Sequence, residues 1–324
     1  MTKTFFSRVL GCAALLLIAG CATTVAISAR FPARYADTAD IRRIAVGGFN
    51  GYGGEEFQAA LQAELFAATF DGRPYFTIVA TGGPPDTAGA SAYGREMGAQ
   101  GVIFGTVSTD FSTSDYQGSE DRCVEWNEKK NCKKYRSFPI HCWRRNVDLV
   151  VTPSLANIAA GRVVYSSQKH ASRSASWCAN QSPSGSDLEL VTSAQREILG
   201  EIRRDIAPYN TTLDATLKTR GDGLPTAIKP QFTAAVKAAS GGDMGQACDA
   251  WTAINKASPR NLDTVYDLGV CAESEGDYTG ALALYRQAQG LATAPDKEIS
   301  ASITRANELA AARAALAKTK AGKR

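Results

Sequence analysis

The sequence predicts an α+β/α chain, in which a small sandwich-like domain of order β-α-β-α-β-β-β-α is followed by an all-α helical repeat. Three observations predict it. Short apolar runs at 41–46, 75–80 and 101–107 alternate with segments whose apolar residues recur at three- and four-residue spacing, the pattern of strands alternating with helices. The run Gly101 to Val107 carries no charge, as a strand buried on both faces does. Beyond residue 228 only helical periodicity remains, and Gly242-Asp243-Met244, Ala247 and Trp251 recur as Gly276-Asp277-Tyr278, Ala281 and Tyr285, each displaced by 34 positions.

In chain order, Lys3 and Arg8 precede eleven uncharged residues, Val9 to Ala19, too few to span a bilayer as a helix. Residues 21–39 lack periodicity and read as a tether. The domain at 40–209 opens with a strand, Ile41 to Val46, and a turn rich in glycine. A helix follows over 55–70, with Phe57, Leu61 and Leu65 on one face. The turn is not a phosphate loop. No Lys-Ser/Thr follows it, the dinucleotide spacing fails at Glu56, and Glu55 and Glu56 would repel phosphate.

A second strand at 75–80, a short helix at 88–97 ending in Gly98 and the strand at 101–107 come next. The insertion 112–142 reads as irregular. Strands at about 143–152 and 162–172 then turn near residue 160. A helix over 187–206, with Leu190, Ala194, Ile198 and Ile202 on one stripe, stops before Pro208. Residues 210–228 read as a linker, the helical repeat covers 229–316 with a capping last helix, and 317–324 is a basic tail expected to be a solvated, frayed end.

Ile18-Ala19-Gly20-Cys21 resembles the bacterial lipobox, with small residues directly before a cysteine. The resemblance implies a signal peptide over 1–20, cleavage before Cys21, and acylation of Cys21 with diacylglyceryl and N-acyl chains, enough for stable anchoring. Ala22 is not the aspartate that retains such proteins at the inner membrane, so the periplasmic face of the outer membrane is the expected address. Loss of Lys3 and Arg8 would take the formal net charge from +4 to about +2, too little for a nucleic-acid binder.

The strings "IRRIAVGGF", "YFTIVA", "GREMGAQGVIFGTV" and "ANIAAGRVVYSS", with the helix between the first two, resemble an envelope lipoprotein group. That group includes the curli secretion channel, the penicillin-binding-protein activator LpoB and the N-terminal domain of TolB. The resemblance covers about residues 40–207 and implies a small α/β domain that binds other envelope components without chemistry of its own. The channel members insert amphipathic membrane hairpins between core strands. Here Lys129, Lys130, Lys133, Lys134 and Arg136 fall on both alternation parities of the insertion, which excludes a lipid-facing strip.

With Cys12 in the signal and Cys21 acylated, six of eight cysteines remain, and an even set in an oxidising compartment reads as disulfides, with fifteen pairings open. A hairpin turning near residue 160 opposes Cys142 to Cys178. A tight turn at Asn127-Glu128 opposes Cys123 to Cys132, and opposed residues lie within disulfide reach. The competing reading, zinc held by His141, His170 and these cysteines, lacks CxxC-type spacing. No GxSxG accompanies the two histidines, so neither catalytic residues nor a cofactor is expected.

The period of 34, with Leu268-Gly269 at a helix crossing and Pro259 ending the first unit, resembles the tetratricopeptide repeat. Two units, about 228–261 and 262–295, and a capping helix at 297–316 are implied. By repeat position, Cys248 and Cys271 lie on packed helices and would form a third disulfide. The same resemblance implies a concave partner-binding face of Phe232, Val236, Tyr266, Val270 and Glu273, with Trp251 and Tyr285 in the repeat core. The expected function is that of an anchored, non-enzymatic adaptor for envelope proteins or peptides. A curli-type secretion subunit or homo-oligomer and a structural membrane-to-wall spacer are the alternatives.

Overall fold

The computed structural model describes residues 23–321 and is a mixed α/β chain of two compact units. One unit is Ala29–Thr211, with which the residues from Ala311 onward group; the other is Thr212–Ala310 together with the segment ending at Ser28. The expected signal peptide at 1–20, Cys21, Ala22 and the last three residues lie outside the described part.

In the first unit, β2 (Arg43–Asn50) runs parallel to β5 (Thr77–Gly83) on one side and to the start of β6 (Gly101–Trp126) on the other. β6 pairs antiparallel with β7 (Cys132–Asn157), and the far edge of β7 carries β8 (Arg162–Ser166) and then β9 (Lys169–Cys178). The sheet order is β5-β2-β6-β7-β8, with β9 also on β7. A two-residue ribbon of β3 (Thr69–Phe70) and β4 (Arg73–Pro74) follows the first helix.

Helices α1 (Gly54–Ala67) and α3 (Asp187–Ile206) cover one face of this sheet. Phe57, Leu61 and Leu65 of α1 and Ala194, Ile198 and Ile202 of α3 pack there on Val46, Ile103, Val107, Leu149 and Val151. α2 (Thr87–Glu96) covers part of the other face, where Ala90 meets Val102, Phe104 and Ala156. The ends are set locally: Asp86 caps α2, and Ser186 and Glu189 form a reciprocal capping box on α3.

The glycine-rich turn acts by close backbone approach. Gly51 has φ +112°, and a Cβ there would lie 1.8 Å from the Val107 carbonyl oxygen.

A buried charge ties the end of α3 to the sheet. Asp205, 1% exposed, accepts from Tyr165 Oη at 3.0 Å, lies 2.7 Å from Lys169 Nζ and is met by Arg34 at 3.3 Å. Burial and the adjacent Asp205 carboxylate push the Tyr165 phenol far above its ordinary value.

Three expectations change. Residues 24–31, expected within the tether, form β1 (Thr24–Phe31), because Val25, Ile27 and Ala29 alternate into a core. The start of the expected linker is β10 (Tyr209–Thr216), which pairs with β1. The insertion 112–142 is not irregular but continues β6 and β7 into a hairpin.

The second unit stacks α4 (Lys229–Ser240), α5 (Met244–Ala257), α6 (Leu262–Ser274) and α7 (Tyr278–Leu291), followed by the first part of α8 (Lys297–Ala321), which stays helical through residues 317–321 where a frayed tail was expected. Gly242 and Gly276 take positive φ before the second helix of each pair. Asp243 and Asp277 cap those helices alike, accepting from Gln246 and Gly280 N–H at 3.0 Å. Gly269 gives the crossing its closeness: a Cβ there would meet the Tyr285 ring at 2.5 Å. Val25, Ile27, Ala215 and Leu217 complete this core beside Trp251, Tyr266 and Tyr285.

Candidate interaction surface

The β6–β7 hairpin is the element that leaves the body of its unit. β6 pairs with β2 only through Thr106, so from Val107 to Trp126 its outer edge has no strand partner among the described residues. β9 supports β7 up to the pair Cys142–Cys178, where the sulfurs are joined. Ten residues of β6 continue past the Tyr116–Cys142 pair, a reach of about 34 Å at ~3.4 Å per residue.

The tip is closed by local hydrogen bonds and by sulfur. Asn127 Oδ1 accepts from the N–H groups of Lys129 at 3.0 Å and Asn131 at 2.8 Å, and Lys130 takes φ 58°. This longer loop, with irregularities on either side of Glu125, shifts the register. Cys123 stands opposite Tyr135 and Cys132 opposite Trp126, not opposite each other as a two-residue turn implies. The two sulfurs are nonetheless joined, with Cα atoms 5.7 Å apart.

The two faces of the strands differ. Odd-numbered positions of β7 (Val147, Leu149, Val151) point into the core. The even-numbered side beyond α2 is polar, with Ser108, Ser112 and Ser114 on β6 and Ser172, Ser174 and Ser176 on β9 all exposed. Arg144, between them on β7, lies over the Tyr116 ring at 5.4 Å.

On this side Asp148, His170 and Ser172 meet, a trio with the composition of a hydrolase triad. Its geometry is different. Ser172 donates to Asp148 Oδ1, and a single ring nitrogen of His170, Nε2, faces both Asp148 at 3.3 Å and Ser172 at 3.2 Å. A charge-relay arrangement needs the acid and the hydroxyl on opposite ring nitrogens. The Ser172 hydrogen bond lowers the Asp148 carboxyl below its ordinary value.

Where the ribbon leaves the sheet, Asp115, Tyr116, Gln117, Pro139, Ile140 and His141 line a surface depression of about 370 Å³. His141 Nε2 lies 3.9 Å from Asp115 and its ring meets Trp143 edge-on at 4.6 Å, with Trp177 stacked behind at 6.2 Å. A second depression of similar volume lies at the α7–α8 turn, where Asp296 is occupied in capping α8 and pairing with Lys218.

At the tip, Trp126 is 62% and Tyr135 65% exposed. Lys129, Lys130, Lys133, Lys134 and Arg136 surround them, and none has a carboxylate within ion-pair distance among the described residues. The aromatic members were not singled out from the sequence, although their alternation with lysines was the available signal.

The face expected to bind a partner in the helical unit is filled. Phe232, Tyr266, Val270 and Glu273 are at most 1% exposed and Val236 9%. Tyr266 Oη bonds the Thr216 carbonyl at 3.0 Å and Ser302 at 2.9 Å, so β10 and α8 occupy the space a ligand would take. Glu273 holds Arg305 of α8 through both oxygens, at 2.6 and 2.8 Å, and accepts from Tyr285 Oη at 2.6 Å. These five residues are core.

Cys248 and Cys271 are joined, fastening α5 to α6. All six described cysteines are therefore disulfide-bonded, so none of these six is a free thiolate beside His141 or His170. Compared with known proteins, the sequence matches no family model and no curated protein.

Proposed function

We propose that the chain is an envelope lipoprotein, acylated at Cys21 and held at the periplasmic face of the outer membrane, that acts as a non-enzymatic adaptor for envelope proteins or peptides. The observation that carries this is the disulfide-braced ribbon with its unpartnered β6 edge over 107–126. A fixed strand edge presents a row of free N–H and C=O groups, to which an extended segment can add as a further strand. Stapling at Cys142–Cys178 and Cys123–Cys132 lowers the ordering entropy to be lost on binding.

The helical unit is read as a tetratricopeptide-type repeat, supported by matched caps at Asp243 and Asp277 and matched glycines at 242 and 276. Its inner face being occupied, the repeat serves as a structural support and the α/β unit makes the contact. Acylation would confine the ribbon to one surface and raise its effective concentration toward a partner there.

A second reading, a subunit of a curli-type secretion complex, is favoured by the insertion being a hairpin and by outer edges of β6 and β9 that pair with no other strand among the described residues. Unpaired cations on both of its faces oppose a membrane-spanning barrel.

The test is in-cell photo-crosslinking from Ser112 on the ribbon, with Phe66 on α1 as the exposed control, combined with palmitate labelling of wild type and Cys21→Ser. One defined envelope adduct at Ser112 alone, with label lost in Cys21→Ser, is expected. A ladder of self-adducts would favour the secretion-subunit reading, and no adduct from Ser112 would sink the adaptor reading.

A further inference from the structure

We infer that the tip of the ribbon is a membrane-docking element that seats on an anionic phospholipid surface, Trp126 and Tyr135 entering the headgroup layer while the surrounding lysines meet lipid phosphates. This goes beyond the adaptor reading and does not rest on acylation of Cys21.

Two independent features of the tip point to the same occupant. The first is charge. Lys129, Lys130, Lys133, Lys134 and Arg136 are exposed within the closing loop and the first strand positions of β7, and none is neutralised by a carboxylate. Nearby Glu120 is already taken, by Arg122 at 2.7 Å and Asn180 at 2.9 Å. Glu125, opposite Lys134 in the register, and Glu128 also lie at the tip, but among the described residues neither forms an ion pair with these cations, so five positive charges face two acidic ones and the excess suits a surface of lipid phosphates.

The second feature is the aromatic pair. Trp126 and Tyr135 are more than half exposed on a polar ribbon, where they stabilise no core. Trp and Tyr prefer the membrane–water interface because their rings combine an apolar body with a polar edge, and lysines beside them reach outward to phosphates. An acidic peptide would satisfy the charges but gives no reason for two exposed aromatic rings beside them on a two-stranded ribbon, whereas an interface uses both.

The geometry limits the depth. Cations occur on both faces of the ribbon, so it cannot present an apolar strip to the bilayer interior and must stop at the headgroups. The hydrogen-bonded loop at Asn127 and the Cys123–Cys132 bond hold the tip in one shape, so little ordering is lost on docking.

The experiment uses the full chain with excess vesicles containing bromine-labelled acyl chains, either phosphatidylcholine alone or phosphatidylcholine doped with phosphatidylglycerol. Trp126 is isolated from the other three tryptophans by subtracting the Trp126→Phe spectrum. The expected result is quenching of Trp126 with the anionic vesicles and not with phosphatidylcholine, relieved at about 1 M salt, where the screening length falls to about 3 Å. In Lys133→Gln/Lys134→Gln, the ratio of quenched to free Trp126 should fall about fivefold for each cation removed. Both lysines are solvent-exposed, and an unchanged circular dichroism spectrum with no free thiol checks the fold. Equal quenching with both vesicle types, or quenching untouched by the double substitution, would overturn the proposal. Trp126 left unquenched by anionic vesicles would also overturn it and return the tip to a protein or wall-polymer partner.

Discussion

Cys142 and Cys178 stand directly opposite one another at the last paired position of β7 and β9, sulfurs joined, and beyond them the ribbon has only two strands. Their bond closes a loop spanning 36 positions that contains the β8 turn and both strand pairings on the far edge of β7. In the chain-entropy account a loop of this length stabilises the folded state by about 4 kcal/mol. Replacing both cysteines with alanine should lower the urea midpoint of the α/β unit accordingly.

Cys123 and Cys132 make a contrasting case. Their bond lies in the ribbon tip, where no core residue packs, so removing both should leave the global unfolding free energy from urea titration within about 0.5 kcal/mol of wild type. The change should appear as faster amide exchange at residues 123–132 and cleavage there by trypsin. A global loss as large as that of the Cys142–Cys178 pair would contradict the separation of tip and core.

What could be read from the sequence divides along physical lines. α3 was legible because Leu190, Ala194, Ile198 and Ile202 face one core and Ser186 marks its start. The Cys142–Cys178 opposition was legible because strand pairing is arithmetic once the turn is placed. The ribbon was not, because hydrophobic alternation reports one-sided burial, and beyond the Tyr116–Cys142 pair most positions on both faces are exposed. In β1 the alternation of Val25, Ile27 and Ala29 was present but short. The filling of the helical face by Thr216 and Ser302, 50 and 36 positions from Tyr266, leaves no local signal at all.

Tyr165→Phe removes one hydroxyl from the Asp205 network and leaves Lys169 and Arg34 in place. A hydrogen bond to a carboxylate contributes about 1.5–3 kcal/mol, and the stability of the α/β unit should fall by that amount at neutral pH. A thermal midpoint unchanged from wild type would mean that Lys169 and Arg34 satisfy the buried charge without the hydroxyl.

Asp267 carries a pH signature. Its side chain is fully buried, Oδ1 accepts from the Lys218 N–H at 2.9 Å, and Oδ2 has no partner within the described residues. Burial pushes this carboxyl well above the usual carboxylate range. The folded chain therefore keeps a proton that the unfolded chain has already released, and stability falls as pH rises from the ordinary carboxylate value toward the raised one. Asp267→Asn should flatten that slope in urea titrations across this range, and an unaltered slope would locate the effect elsewhere.

Glu273 and Arg305 supply the sharpest test of whether the inner face of the helical unit is core. Glu273 is buried, and both of its oxygens are engaged, by Arg305 and by the hydroxyl of Tyr285, whose phenol is raised first by burial and then by the adjacent carboxylate. Taking away either charge strands the other in a dry environment, so Glu273→Leu and Arg305→Met should each lose about 3–5 kcal/mol. The double variant leaves no orphaned charge and should be more stable than the sum of the singles implies, by about 2–3 kcal/mol. Were Glu273 instead a ligand-facing residue in an open groove, its carboxylate would be hydrated and Arg305→Met would cost little. Urea denaturation of the four proteins decides between these, and simple additivity with small single effects would restore the groove.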